Sequence, residues 1–186
     1  MNGQLLIKKK NLINNFAEIK KYNPNSKIMS VIKSNAYGHG ILEVAKILNN
    51  TDSFAVATIK EAKYLRENNI NKEIICLQGF SDSAEYKYCS ENNIRPVIHE
   101  FSQINIIENT KLNNPVKLWI KIDTGMNRLG FHVSDFFEIF DRCSKNKNIK
   151  NPIGVMTHLA CADEDEDNIS ELQIQKILNI IEGHNT

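Results

Sequence analysis

Lys33 stands at the end of an apolar run that begins near Ile28, and Ser34-Asn35-Ala36-Tyr37-Gly38-His39-Gly40 follows it at once. The run has the composition of a buried strand, and a helical pattern starts near Ile41. A strand end holds an amine still, and low polarity around it lowers its pKa toward nucleophilic use. Gly38 and Gly40 permit a tight turn and let backbone amides approach an anion at the start of the next helix. Position alone favours a simpler role for Lys33, that of a solvated strand-end lysine.

Two further strand ends carry groups able to do chemistry. Lys121-Ile122-Asp123-Thr124-Gly125-Met126-Asn127-Arg128 follows the apolar stretch Val116 to Ile120. The planar, permanently charged fork of Arg128 suits a carboxylate. An unmodified Lys121 beside Arg128 would repel it, so the pair calls for a counterion; a plain strand-end ion network is the alternative. Asp123 either orients this loop or serves ordinary turn chemistry. Thr157-His158 follows Ile153 to Met156. A lone strand-end histidine is most often a packed or hydrogen-bonded residue. The acidic run Asp163 to Asp167 lacks organised ligand spacing, so no metal site is expected there. It fits a solvated loop and a negative cap before a helix near Ile169.

The octapeptide Lys33 to Gly40 closely resembles the pyridoxal-phosphate (PLP) attachment motif of the alanine racemases. Ser34 stands where a small residue is usual. The Lys121 to Phe131 and Thr157 to Glu164 segments resemble that family's barrel segments, in the same order. The resemblance runs more weakly through Phe54 to Ala57 and Pro96 to His99, and it covers essentially the whole chain. It implies that Lys33 forms a Schiff base with the cofactor and moves a proton on one face of the substrate. Tyr37 would hydrogen-bond the cofactor phosphate, His158 would lie against the cofactor ring, and Arg128 would sit near the phenolic oxygen and the substrate carboxylate. Lys121 matches a lysine that is carbamylated in some members. His39 is expected to pack at the helix start. Racemisation needs a second base, which in the family is a tyrosine of the C-terminal domain of the partner subunit. Tyr22, Tyr37, Tyr64, Tyr86 and Tyr88 all come too early in the chain to match it.

These groups need a scaffold that brings strand ends together. Strand-like runs occur near 28–33, 53–57, 73–77, 95–98, 116–122 and 152–157. Helical patterns lie between them: Ile41, Val44, Ala45 and Leu48 share a face, as do Ala62, Leu65 and Arg66. Further helices are expected over 11–21, 83–92, 101–109, 134–145 and 169–182. Alternation of this kind predicts βα units and a parallel sheet. Spacing does not separate an open doubly wound sheet from a barrel, although no GxGxxG follows the first strand. The resemblance implies a (β/α)8 PLP-binding barrel. An eight-stranded barrel outruns the six runs found, so the expectation is one N-terminal barrel domain over 1–186, incomplete after about six βα units and without the family's C-terminal β domain.

The chain has 186 residues and a net charge of +1, which gives no basic surface for nucleic acid. No apolar stretch approaches a membrane span, and no signal-peptide core is visible. Cys76, Cys89, Cys143 and Cys161 are spread without CxxC pairing, as expected for reduced thiols in a cytoplasmic protein. Trp119 is expected in the core. The reading is an alanine racemase portion acting on a small amino acid, with PLP as cofactor, serving cell-wall precursor supply, and a homodimer at full length. Alternatives are a non-catalytic PLP-binding barrel, a decarboxylase of the same fold type, and a phosphate-binding barrel with unrelated chemistry.

Overall fold

Alternating apolar strands and amphipathic helices build a curved parallel sheet with helices on its outer side. The computed structural model describes residues 5–164 and 168–184. In chain order the elements are α1 (Lys9–Tyr22), β1 (Met29–Val31), α2 (Lys33–Tyr37), α3 (Ile41–Ile47), β2 (Ser53–Val56), α4 (Ile59–Glu67), β3 (Glu73–Cys76) and α5 (Ser83–Glu91). There follow β4 (Ile94–Ile98), α6 (Phe101–Asn109), β5 (Trp119–Asp123), β6 (Phe131–His132), a 3-10 turn (Val133–Asp135), α7 (Phe136–Ser144), β7 (Gly154–Met156) and α8 (Ile169–His184). The ladder runs in sequence from β1 to β5, and β5 also pairs with β6 and β7. Every pairing is parallel. Among the described residues, no strand pairs with the free edge of β1 or of β7. This is a barrel-type sheet of βα units, open between β7 and β1.

Parallel strands are covered on both faces, and two separate apolar clusters show it. The outer cluster lies between sheet and helices and includes Ile32, Phe54, Ile74, Ile98, Ile120 and Ile122. The inner cluster lines the concave face with Ala55, Ile75 and Val97, backed by Met29, Leu77, Trp119 and Met156. Side chains alternate along a strand, so this division decides which residues face inward. Trp119 faces inward, and so therefore do Lys121 and Asp123. The same count carries Met156 to His158 and Met29 to Lys33.

Local signals explain the helix starts. Thr58 caps α4 by accepting from Glu61 N, and Glu61 returns a bond to the Thr58 backbone, a reciprocal capping box. Asp82 caps α5 by accepting from Glu85 N. Arg66, on the α4 face shared with Ala62 and Leu65, ties the carbonyls of Ile70, Lys72, Asn92 and Asn93 together.

Some boundaries differ from expectation. β5 begins at Trp119, because Val116 makes only an isolated bridge to Ile149. The helix expected from Ser134 opens as the 3-10 turn and becomes regular at Phe136. β6 was not foreseen. Trp119 is half-buried in the inner cluster, not the outer core, and its indole covers the face of Gly154, where a Cβ would collide with the ring.

Candidate active site

The Lys33 turn is left-handed. Ser34, Asn35, Ala36 and Tyr37 have φ of 53, 54, 52 and 54°. This conformation costs roughly 1–2 kcal/mol per L-residue, eased only at Asn35, whose side chain bonds locally. Fixed partners hold it. Ala36 N donates to Ile32 O, Gly38 N to Ser34 O, and Gly40 N to Asn35 O. Asn35 Oδ1 accepts from Ile41 N at 2.9 Å and so starts α3. Gly38 continues the positive φ at 88°, where a side chain would add strain. His39 is exposed, and its Nδ1 lies 3.0 Å from Ala36 O, so it closes the turn in place of packing at the helix start. The turn leaves Lys33 half-buried at the strand end and Tyr37 exposed beside it.

Asp123 organises the loop that carries Arg128. Its Oδ1 accepts from Gly125 N at 2.9 Å and from Asn127 N at 3.0 Å. Gly130 has φ 135°, and a Cβ there would stand 2.6 Å from Asp123 N, so only glycine closes this loop. Burial alone would raise the Asp123 carboxyl, but backbone donors from Asn127, Gly125, Arg128 and Met126 outweigh it and hold the group below its ordinary value of 3.8. A depressed carboxyl gives loop stability that is full above the unfolded value and lost as pH falls through the folded one. We therefore expect the Gly125 and Asn127 amide resonances to move with a midpoint below pH 3.8. A midpoint at or above that value would show that Asp123 does not hold the loop as a carboxylate.

A buried glutamine joins this loop to the end of β7. Gln173 is 1% exposed. Its Nε2 donates to His158 O at 2.9 Å and Thr124 Oγ1 at 3.2 Å, and its Oε1 accepts from Ala160 N at 2.8 Å. Thr124 and Thr157 hydroxyls meet at 2.7 Å, and Thr157 donates onward to Ile122 O. Every polar atom of the Gln173 amide is thus engaged, as burial requires.

Electrostatics show which charges converge. The Lys121 amine is lowered by burial first, then by Arg128 and Lys33, with Asp123 opposing. His158 is likewise lowered by burial first, then by Lys121, Arg128 and Lys33. Lys33 in the turn after β1, Lys121 in β5, Arg128 in the loop after it and His158 just beyond β7 therefore share one field. The nearby carboxylate, Asp123, is already taken up by backbone donors. Such a site calls for anions. A phosphate-bearing aldehyde cofactor would fit these groups: Lys33 offers an amine to receive it, His158 an imidazole held toward its neutral form by burial, and Arg128 a guanidinium fork.

The structure thus brings Lys33, Lys121, Arg128 and His158 within electrostatic reach of one another, while Tyr37 stands exposed on the turn that follows Lys33. Asp163 and Glu164 are exposed, and 165–167 lie outside the described residues. Cys76 and Cys143 are buried thiols pushed up to about 12 by desolvation, which suits packing. Sequence reasoning passed over Glu61 and Gln173. A glutamate at the third helical position signals only a capping box, and one glutamine in an amphipathic helix gives no signal at all.

A parallel sheet of βα units in sequential order defines a barrel-type α/β domain. Within that class the match is specific. The family model "Alanine racemase, N-terminal domain" matches residues 7–186, and the chain belongs to that family. It is 41% identical over 171 residues to an alanine racemase of Coxiella burnetii, covering 92% of this chain and 47% of the relative. Against an alanine racemase of Shewanella oneidensis it is 40% identical over 164 residues, covering 88% and 46%. The fold superposes on the biosynthetic alanine racemase of Pseudomonas aeruginosa with a TM-score of 0.87 and 30% identity, covering 92% of this chain and 48% of that one. The chain spans about half the length of the curated relatives it matches.

Proposed function

We propose that this chain is the N-terminal barrel portion of a PLP-dependent alanine racemase, interconverting L- and D-alanine. The observation that carries this reading is the shared field of Lys33, Lys121, Arg128 and His158 on one rim of the sheet. Bound PLP supplies an electron sink for the charge left when the substrate Cα proton departs. Lys33 holds the cofactor through its amine and, once released, moves that proton on one face. Tyr37 binds the phosphate, and His158, held toward its neutral form by burial first and then by its cationic neighbours, lies against the ring. Arg128 receives the substrate carboxylate. The lowered Lys121 amine suits carbamylation, because only the neutral amine adds carbon dioxide, and the resulting anion would pair with Arg128.

The second base must come from elsewhere. Tyr22, Tyr64, Tyr86 and Tyr88 lie in α1, α4 and α5, away from the site rim. We assign that base to the C-terminal half present in the relatives, contributed across a homodimer. No helix among the described residues is long and apolar enough to cross a membrane. A cytoplasmic role in supplying D-alanine for cell-wall precursors follows from the same reading.

Proton exchange tests it. In deuterated solvent with PLP, the chain joined to the C-terminal half should exchange the alanine Cα hydrogen and invert the centre. Carbon dioxide release would identify a decarboxylase instead. Cofactor binding without exchange of either enantiomer would identify a non-catalytic PLP barrel.

A further inference from the structure

We propose that Glu61 is a positioning residue for Lys33, acting through the backbone of Ser34. The proposal rests on the reading of Lys33 as the cofactor-bearing amine. Glu61 is half-buried at the start of α4, 27 residues from Ser34 in sequence. Its Oε2 completes the capping box by accepting from Thr58 N at 3.2 Å, and it also accepts from Ala57 N at 2.8 Å. A capping box uses no more of the carboxylate than this. Oε1 is left over, and it accepts from Ser34 N at 2.6 Å. This is a short, charge-assisted bond between the turn that follows β1 and the helix that follows its neighbour β2.

Its target is well chosen. Ser34 is the first left-handed residue after Lys33, with φ 53 and ψ 50°. The peptide that joins Lys33 to Ser34 is gripped by Glu61 on its N–H side. The next constraint, Ala36 N to Ile32 O at 2.9 Å, closes the turn around Lys33. Without Glu61 the Ser34 N–H loses its partner, and the strained turn loses the contact that opposes relaxation toward the ordinary right-handed region. The Lys33 stem then starts from a different direction. One carboxylate thereby couples the α4 cap, the end of β2 and the aim of the amine.

Thr58→Ala separates the two roles. It removes the hydroxyl that accepts from Glu61 N at 3.3 Å but leaves the carboxylate free to hold Ser34. Wild type, Thr58→Ala, Glu61→Gln and Glu61→Asp are compared by thermal melting, Ser34 amide exchange in the cofactor-free protein, and PLP fixed on Lys33 by borohydride. Glu61→Asp keeps the charge at the helix start but falls one methylene short of Ser34, which covers the case in which Glu61→Gln folds poorly. All three variants should melt lower than wild type. Only the Glu61 variants should speed Ser34 exchange and cut Lys33 labelling at limiting PLP, each roughly tenfold, the effect of losing one charged hydrogen bond. Equal effects from Thr58→Ala, or an unchanged Ser34 amide in both Glu61 variants, overturn the proposal. Absence of label on Lys33 in wild type would refute the cofactor reading, and Ser34 exchange would still decide whether Glu61 holds the turn.

Discussion

Lys33→Ala should abolish covalent attachment of PLP and lower alanine racemisation by on the order of 10⁴-fold, the upper range for a positioned proton-transfer group. Attachment fails because the amine is the only part of the side chain that can join the cofactor aldehyde. Catalysis fails for a second reason, since the same amine moves the proton on one face. Lys33→Arg makes the argument sharper. It keeps the positive charge on the concave face, but a guanidinium stays protonated and cannot act as the nucleophile. Both variants should therefore lose attachment alike, although only one removes the charge. The turn itself is held by backbone bonds and by Asn35 and Glu61, so the fold should persist in both. If Lys33→Arg retained activity while Lys33→Ala lost it, charge alone would explain the role of this position.

Arg128 carries the second large effect. Arg128→Lys preserves a cation but loses the planar pair of donors that a carboxylate accepts in parallel, and kcat/KM for alanine should fall about a hundredfold. Arg128→Ala should cost about tenfold more, because the charge goes as well. A second readout is independent of turnover. Arg128 is one of the charges that lower Lys121, after burial. Its removal should raise the Lys121 amine partway toward its ordinary 10.5, with burial still holding it below. The neutral fraction near neutral pH then falls, and so should uptake of labelled bicarbonate as a carbamate, followed by carbon NMR. An Arg128→Lys enzyme with unchanged kcat/KM would remove Arg128 from substrate binding.

Much of this was visible in the chain itself, and the reasons for the gaps are physical. β1 to β4 stand where apolar runs promise them, because parallel strands covered on both faces need near-continuous apolar sequence. Lys121, expected at a strand end, lies inside β5 and His158 just beyond β7, and strand alternation turns Lys121 inward beside Trp119. β6 has two residues, too few to show any period. The left-handed turn was hidden because Ser34, Ala36 and Tyr37 have no preference for positive φ. Glycines at 38 and 40 announced a turn but not its hand. Asn35 supports the turn locally through Ile41 N, but the grip on Ser34 comes from Glu61, 27 residues away, and no local pattern in a single sequence records it. The same holds for Gln173, whose three bonds span α8, the β5 loop and the β7 end.

The measurement that reaches the central claim most directly is borohydride reduction in the presence of PLP, followed by digestion and peptide mapping, on the chain joined to the C-terminal half of its relatives. The account predicts one pyridoxyl label per chain, carried by the peptide containing Lys33 and absent from Lys33→Ala. A label on Lys121 or on surface lysines, or a folded protein that takes up none, would contradict it.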